Sequence, residues 1–260
     1  MTAGHVAIGM DEAGAGDAVP ILFLHGVGSD KSVWAPQLAH FGQSRRAVAF
    51  DYPGYGDSDP AAAGTTRDDF AAAILAAMDA LAIDRAHVCG LSLGGVIAIA
   101  MYAAAPERFA SLIIADSFAV HPDGPAIFER ATNASRTLTM KQLAEQRTPF
   151  LVAPGTSEKL RDEICRTMAR INPDAFRIGT EAVWLADQRD RVARIAVPTL
   201  VLVGDQDTIT PPALSEELAR AIPGARLQIL VGAGHLTNIE KPDEFNEVVE
   251  TFVEGAEALA

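Results

Sequence analysis

The chain has 260 residues, of which 49% are apolar and 21% are charged, so it holds enough apolar residues to build a globular core. This composition excludes a chain that is disordered, collagen-like or coiled-coil throughout. With 34 acidic and 21 basic residues the formal charge is −13, and such a surface would be repelled by nucleic acid and by anionic membranes.

The amino terminus lacks the pattern of a secretory signal, because no Lys or Arg precedes Lys31 and acidic residues interrupt its apolar ones. The longest uncharged stretch, residues 86–106, reaches the length of a membrane span. Three glycines near its centre favour a buried strand followed by a buried helix instead. Cys89 and Cys165 lie in unrelated contexts and predict neither a disulfide nor a metal or redox pair. We therefore predict a soluble, cytoplasmic protein.

Short apolar runs alternate along the chain with helical patterns, which is the order that a mostly parallel sheet covered by helices requires. The predicted strands, in chain order, are residues 21–24, 47–50, 86–89, 112–115, 199–203 and 225–230. The predicted helices, separated from the strands by Gly, Pro and Asp turns, are residues 67–81, 93–105, 213–221 and 243–253. The predicted fold class is therefore α/β.

This alternation breaks between residues 121 and 190, where helical patterns continue without a convincing strand. We predict a helical lid here, inserted into a core domain formed by residues 1–120 and 191–260. Trp184 of the lid is the predicted substrate-binding residue. The lid is predicted to carry six apolar side chains into or near a pocket: Phe128, Met140, Phe150, Met168, Phe176 and Trp184. For any single one of them, packing within the lid's own small core is the more frequent outcome.

The most informative motif is the GxSxG pattern of residues 90–94, which lies between an apolar strand and an apolar helix. This context is typical of a nucleophile elbow, where a tight turn exposes the serine hydroxyl at the end of the sheet. A side chain at Gly90 or Gly94 would clash with its neighbours in such a turn. The turn also places Ser92 at the positive end of the following helix. Ser92 is thus the candidate nucleophile.

A serine hydroxyl needs a base to take its proton and an acid to orient that base, and in this fold the chain order is Ser, acid, His. Asp207 follows the predicted strand 199–203, and His235 follows the last predicted strand in a glycine-rich loop. The order is satisfied by Ser92, Asp207 and His235. Asp205 and Asp116 are alternative acids, with Asp205 better explained as a residue that ties its turn together.

The other histidines have weaker claims to the role of base. His25 follows a strand in the sequence LHGVG and is predicted to hydrogen-bond within that turn. The remaining four lie in stretches without a partner pattern and are predicted to have surface or structural roles: His5, His40, His87 and His121.

Acyl transfer also requires hydrogen-bond donors for the developing oxyanion. The backbone N–H of Leu93, directly after the nucleophile, is one candidate donor. The loop after the first predicted strand, His25-Gly26-Val27-Gly28, supplies the other through the N–H of Val27.

These motifs together resemble the serine hydrolases of the α/β-hydrolase fold, and the resemblance runs almost from end to end of the chain. The matching segments are HGVG (25–28), DYPGYGDS (51–58), GLSLGG (90–95), PERFASLIIAD (106–116), VPTLVLVGDQDTITPP (197–212) and GAGHLTNIEKPDEF (232–245). Within the family, GLSLGG and HLTNIEKP are most similar to 3-oxoadipate enol-lactone hydrolases and related esterases. One departure is the turn PGYG at residues 53–56, which lacks an arginine that those enzymes usually carry there.

The resemblance implies hydrolysis of a lactone or carboxylic ester through an acyl-enzyme on Ser92, without a metal or organic cofactor. Carbon-carbon bond hydrolases of ring-cleavage pathways share the three residues but typically extend the first loop as HGxGPG, whereas Ser29 and Asp30 follow Gly28 here. Further alternatives are a cofactor-free perhydrolase and a low-turnover ligand-binding receptor. The predicted partners are a small ester or lactone and, at most, further copies of the chain in a small homo-oligomer, with neither nucleic acid nor membrane bound.

Overall fold

The computed structural model describes residues 6–258, and within that range seven strands form one sheet. The strands are β1 (Met10–Ala13), β2 (Ile21–Leu24), β3 (Ala47–Phe50), β4 (Ala86–Leu91), β5 (Phe109–Ala115), β6 (Thr199–Gly204) and β7 (Arg226–Leu230). Their order across the sheet is β1-β3-β2-β4-β5-β6-β7. Only β1 runs antiparallel to its neighbour. The predicted α/β class is confirmed.

Helices connect the strands and cover both faces of the sheet. They are α1 (Ala35–Phe41), α2 (Arg67–Ala80), α3 (Leu93–Ala104), α4 (Gly124–Thr137), α5 (Met140–Leu151), α6 (Glu158–Ala169), α7 (Pro173–Trp184), α8 (Arg189–Val192), α9 (Pro212–Ala221), α10 (Thr237–Glu240) and α11 (Pro242–Glu257). Two 3₁₀ turns, Lys31–Trp34 and Pro106–Arg108, complete the regular structure. Among residues 6–258, no helix is both long and apolar enough to cross a membrane.

The central strands form because their residues can be buried on both faces, as continuous apolar runs in a parallel sheet require. All residues of β2, β4, β5 and β6 are buried. The uncharged stretch 86–106 divides into β4, the turn and α3, as predicted. Cys89 is buried and Cys165 is half-buried, and both are free.

Two features of the sheet edges differ from the sequence expectations. Strand β1, Met10–Ala13, was not predicted, because its four residues are half-buried or exposed and carry no apolar run. Strand β7 begins one residue later than predicted, and four of its five residues are exposed because it has a neighbour on one side only.

The strand order places a crevice at the carboxyl end of the sheet. The chain passes from β2 outward to β3, and then returns to β4 on the other side of β2. The loops that follow β2 and β4 therefore diverge, and ligands of open parallel sheets bind at such a reversal.

Helices α4 to α7 lie between β5 and β6, in the segment where helices without strands were predicted. Within the described part of this segment, the one β contact is an isolated bridge between Val120 and Asp187. Helix α5 packs against α6, and α4 packs against α7. Helix α7 lies so close to the loops at the carboxyl end of the sheet that a methyl group at Gly179 would clash with Tyr55 and contact Val27 and Leu93.

Candidate active site

Ser92 occupies a strained turn between β4 and α3. Its φ is 55° and its ψ is −115°, a region that non-glycine residues rarely adopt and that costs about 1–3 kcal/mol. The turn is tight, because a side chain on Gly90 would clash with the Gly94 carbonyl, and one on Gly94 would clash with the Leu24 carbonyl. The predicted steric role of both glycines is confirmed.

Three residues from distant parts of the chain form one hydrogen-bonded series. Ser92 Oγ lies 3.0 Å from His235 Nε2, and His235 Nδ1 lies 2.8 Å from Asp207 Oδ2. All three residues are buried. Because a carboxylate can only accept, the proton of the neutral imidazole resides on Nδ1, which leaves Nε2 free to accept from the Ser92 hydroxyl. The structure therefore places the three residues in hydrogen-bond contact, in the order expected from the sequence.

Asp207 is held as a carboxylate by several donors. Its Oδ1 accepts from the backbone N–H groups of Ile209 (2.8 Å) and Thr210 (3.0 Å), and its Oδ2 also accepts from the Thr210 hydroxyl at 2.6 Å. Burial alone would raise the pKa of Asp207, but the positive charge of protonated His235 and these hydrogen bonds lower it below its ordinary value. Asp207 thus stays ionised beside the imidazole.

The two alternative acids make other contacts. Asp205 accepts the backbone N–H of Gly232 at 2.6 Å, so it links the end of β6 to the segment after β7 and does not merely tie its own turn, as the sequence suggested. Asp116 at the end of β5 accepts from the Gly204 N–H at 3.1 Å and from the Thr237 hydroxyl at 2.5 Å. Among residues 6–258, neither carboxylate hydrogen-bonds to His235.

Asp116 is expected to make the stability of the protein depend on pH. Its complete burial, followed by the nearby charge of Asp207, raises the pKa of the Asp116 carboxyl well above its ordinary value. The contribution of Asp116 to the free energy of unfolding is fully present below the pKa that its carboxyl has in the unfolded chain. It declines as the pH rises toward the pKa of the same carboxyl in the folded protein. Asp116→Asn, which cannot ionise, is therefore expected to melt at a higher temperature than the wild type at pH 8. The gap should shrink toward pH 4 in thermal melts; a gap that is constant or grows on acidification would contradict this.

Of the two predicted oxyanion donors, Leu93 directly follows Ser92 in the chain, and Val27 follows Gly26 in the loop after β2. A methyl group at Gly26 would contact Ser92 Cβ at 3.4 Å, so the loop after β2 lies directly against the turn that carries Ser92. Within residues 6–258, the backbone N–H groups of Val27 and Leu93 donate no hydrogen bond outside regular secondary structure. The N–H of Leu93 also belongs to the first turn of α3, where no intrahelical acceptor exists.

The remaining histidines have structural partners. His25 Nδ1 donates to the Gly26 carbonyl at 2.8 Å, as predicted, and burial lowers the pKa of its ring. His40 pairs with Glu250 at 3.1 Å. His87 bonds to Ser111 and Glu257. His121 packs edge-on against Phe118 and Trp184, whereas His5 lies outside the described residues.

Ser92 and His235 open into a cavity of about 530 Å³, which is within the usual size of small-molecule sites. Its walls come from the loop after β2, from α5 and α6, and from the loop that carries His235. Of the six apolar residues predicted to lie in or near the pocket, Met168 and Trp184 line it. Phe128, Met140 and Phe176 pack into the apolar core instead. The prediction for Phe150 is wrong, because its side chain is 64% exposed at the end of α5.

Glu240 was not predicted from the sequence. One of its oxygens, Oε1, accepts from the backbone N–H groups of Gly234 (3.0 Å) and Leu236 (3.2 Å), on either side of His235. The other, Oε2, accepts from the Ala153 N–H at 2.7 Å and the Thr156 hydroxyl at 2.8 Å. The N–H of His235 itself donates to the Leu151 carbonyl at 3.0 Å. The segment after α5 and the histidine loop are therefore bound to each other.

Replacing Glu240 by glutamine is expected to lower kcat by about 10- to 100-fold, because an amide N–H₂ cannot accept from Ala153 and the imidazole would shift. Hydrolysis kinetics and thermal melts on E240Q should show this loss. Glu244→Gln, an exposed acid of α11, is the matched control and should retain wild-type kcat. Equal kcat in both variants would show that Glu240 does not position the base.

No group of three or more His, Cys, Asp or Glu side chains within residues 6–258 is arranged to hold a metal ion.

Comparison with known proteins identifies a family model, curated relatives and solved structures that are similar to this chain. The profile of the alpha/beta hydrolase family matches residues 21–248. The 3-oxoadipate enol-lactonase 2 of Acinetobacter baylyi is 28% identical over 97% of this chain and 95% of its own length. The enol-lactonase structure from Burkholderia xenovorans LB400 superposes with a TM-score of 0.91 at 30% identity, covering 96% of this chain and 97% of that one. The structure of a thermophilic esterase from Thermogutta terrifontis gives a TM-score of 0.91 at 25% identity, with 98% and 96% covered.

Proposed function

Because the chain belongs to the alpha/beta hydrolase family and is a hydrolase that acts on ester bonds, we propose that it cleaves a carboxylic ester or lactone through an acyl-enzyme on Ser92. The observation that carries this proposal is the series Ser92, His235 and Asp207, with hydrogen bonds of 3.0 and 2.8 Å, at the wall of a cavity. A nucleophile, its base and an orienting acid are the groups that acyl transfer requires.

In the first step, Ser92 Oγ attacks the carbonyl carbon while His235 Nε2 takes the hydroxyl proton. Asp207 keeps the second imidazole proton on Nδ1 and stabilises the imidazolium that forms. The low pKa of Asp207 supports this role, because the carboxylate remains charged when the imidazole becomes charged. His235 then gives the proton to the leaving oxygen.

The tetrahedral intermediate places negative charge on the former carbonyl oxygen. We assign its stabilisation to the N–H groups of Val27 and Leu93, which flank the nucleophile and lack other acceptors among residues 6–258. The positive end of α3 adds to the same effect. A water molecule, deprotonated by His235, then releases the acyl group and regenerates the serine.

The segment 121–190 acts as a lid over a core domain of residues 1–120 and 191–260. Its helices α5 and α6, together with Trp184, supply the cavity wall opposite the sheet. We assign Trp184 to substrate binding, because it lines the cavity and its buried indole N–H has no acceptor among the described residues. The apolar residues of this wall, Leu151, Ile164 and Met168 among them, support a small organic ester or lactone as substrate, handled without a cofactor.

The experiment that tests this function combines a substrate panel with detection of the intermediate. The panel holds p-nitrophenyl esters of increasing acyl length, several lactones and one dienoic ketone. We expect steady turnover of esters or lactones, and acylation of the peptide that contains Ser92 after rapid acid quenching, measured by mass spectrometry. Turnover of the ketone alone would assign carbon-carbon bond hydrolysis instead. A burst of p-nitrophenol without steady turnover would indicate a ligand-binding receptor.

A further inference from the structure

Helix α7 lies against the two residues whose backbone N–H groups are assigned to the oxyanion. A methyl group on Gly179, in the middle of this helix, would lie 3.0 Å from Val27 Cγ2 and 3.2 Å from Leu93 Cδ2. Val27 belongs to the loop after β2 and Leu93 follows the turn after β4, so two separate segments meet at one position of α7. All three residues are buried, and their contacts leave no room for solvent between them.

The close approach of α7 to the core extends over three turns of the helix. Ala175 lies one turn before Gly179, and a methyl group on Gly54 would lie 3.0 Å from Ala175 Cβ. One turn after Gly179, the carbonyl of Ala182 accepts a hydrogen bond from Arg67 Nη1 at 3.3 Å. Helix α7 also packs against α3, the helix that begins at Leu93. The position of α7 over the two donors is therefore fixed on both sides of Gly179.

The space at position 179 explains why the residue there is glycine. Its φ lies outside the left-handed region, so the backbone conformation does not require glycine. Alanine is also more favourable than glycine inside a helix. A methyl group would, however, overlap Tyr55 Oη and press on Val27 and Leu93. The Tyr55 hydroxyl is buried without a hydrogen-bond partner among the described residues, so removing it breaks no hydrogen bond there.

We propose that Gly179 is a positioning residue: through it, α7 sets where the N–H groups of Val27 and Leu93 stand relative to Ser92. This inference rests on the proposed function, which assigns the oxyanion to these two donors. Because the interior around both side chains is closely packed, pressure on them moves the backbone that carries the N–H groups. Such donors stabilise an oxyanion only when they already stand where it forms. The lid thus contributes to the chemical step as well as to the cavity wall.

A pair of variants isolates this contact. Gly179→Ala alone would also overlap the Tyr55 hydroxyl and displace the helix, so the comparison is made without that hydroxyl. In Tyr55→Phe the nearest atoms to a methyl group at position 179 are those of Val27 and Leu93. The test therefore compares Y55F with Y55F/G179A. The matched control is Y55F/G155A, because Gly155 is also in the lid and a methyl group there meets no described atom within 4 Å.

Relative to Y55F, the variant Y55F/G179A is expected to lose about tenfold in kcat, with KM changed by less than about twofold. Donors displaced by a few tenths of an ångström lose contact with the transition state but not with the bound ester. An alkaneboronic acid forms a tetrahedral adduct on Ser92 with a negatively charged oxygen, and it should bind about tenfold more weakly. A merely structural role would reduce the fraction of active enzyme and leave this inhibition constant unchanged. Y55F/G155A should match Y55F in both measurements.

The amide resonances of Val27 and Leu93 test the inference without turnover. In ¹⁵N-labelled protein both should shift between Y55F and Y55F/G179A, and neither should shift in Y55F/G155A. If both shift but even the wild type neither hydrolyses esters nor binds the boronic acid, the proposed function fails although α7 still sets the two amide groups. If the wild type hydrolyses esters and Y55F/G179A keeps the kcat and the boronic acid affinity of Y55F, the inference is overturned and the proposed function stands.

Thermal melts distinguish positioning from support of the fold. Since alanine favours the helix and the nearest clash is absent, Y55F/G179A is expected to melt within a few degrees of Y55F. A much lower melting temperature would mean that the space at position 179 serves folding, and would count against the inference.

Discussion

Replacing Ser92 by alanine is expected to lower kcat by about 10⁴- to 10⁶-fold, because the variant has no nucleophile for the acyl-enzyme. The fold should persist, since one buried oxygen is lost and the backbone keeps its positive φ. Circular dichroism and thermal melts should therefore match the wild type, while initial rates on the preferred ester fall to the residual level that the oxyanion donors alone provide.

Ser92→Gly provides the matched control for the strain at this position. Glycine adopts a φ of 55° without the penalty that serine pays, so S92G should be up to about 1 kcal/mol more stable than S92A although it is equally inactive. Substantial turnover in either variant would refute Ser92 as the nucleophile. Equal stability of S92A and S92G would refute only the backbone strain at position 92.

Asp207→Asn is expected to reduce kcat by about 10⁴-fold with little change in structure. An asparagine amide can still accept from Ile209 and Thr210 through its oxygen, but its N–H₂ group would face His235 Nδ1. The imidazole would then carry its proton on Nε2 and could not accept the proton of Ser92. The loss should appear in kcat rather than in KM, because Asp207 is separated from the cavity by the imidazole.

Asp205→Asn is the control for this variant, since Asp205 bonds to the Gly232 N–H and does not contact the imidazole. It should retain kcat within about tenfold of the wild type. Asp116→Asn tests the remaining alternative, in which Asp116 and not Asp207 orients His235. If D207N were active and D116N inactive, the orienting acid would be Asp116, and the hydrogen bonds described around Asp207 would have a structural role only.

The central sheet and the approach of the serine, the acid and the histidine could be predicted because local patterns encode them. An apolar run followed by Gly90-Leu91-Ser92 determines a strand and its turn, and parallel strands end at one edge wherever they lie in the chain. Asp207 and His235 follow such strand ends. Their approach to Ser92 therefore required only the strand order and no knowledge of side-chain packing.

Features that depend on packing between distant segments were not predictable in this way. Strand β1 exists because β3 offers it an open edge, not because Met10–Ala13 has an apolar pattern. Phe150 has the composition of a core residue but lies at the end of α5, where solvent reaches it. Glu240 stands in a sequence that looks like an ordinary charged helix. Its importance comes from the groups that the fold brings to it.

The hydrogen bonds that Ala153 and Thr156 donate to Glu240 have a consequence for engineering the enzyme's selectivity. Exchanging residues 121–190 for the corresponding segment of a relative would be the obvious route to a new substrate range. Such a chimera would also replace Leu151, Ala153 and Thr156, which hold the loop of His235, so under the proposed function a gain in recognition would bring a loss in turnover. Residues 151–156 and Glu240 therefore depend on each other. A successful chimera must either keep all of them or replace all of them together.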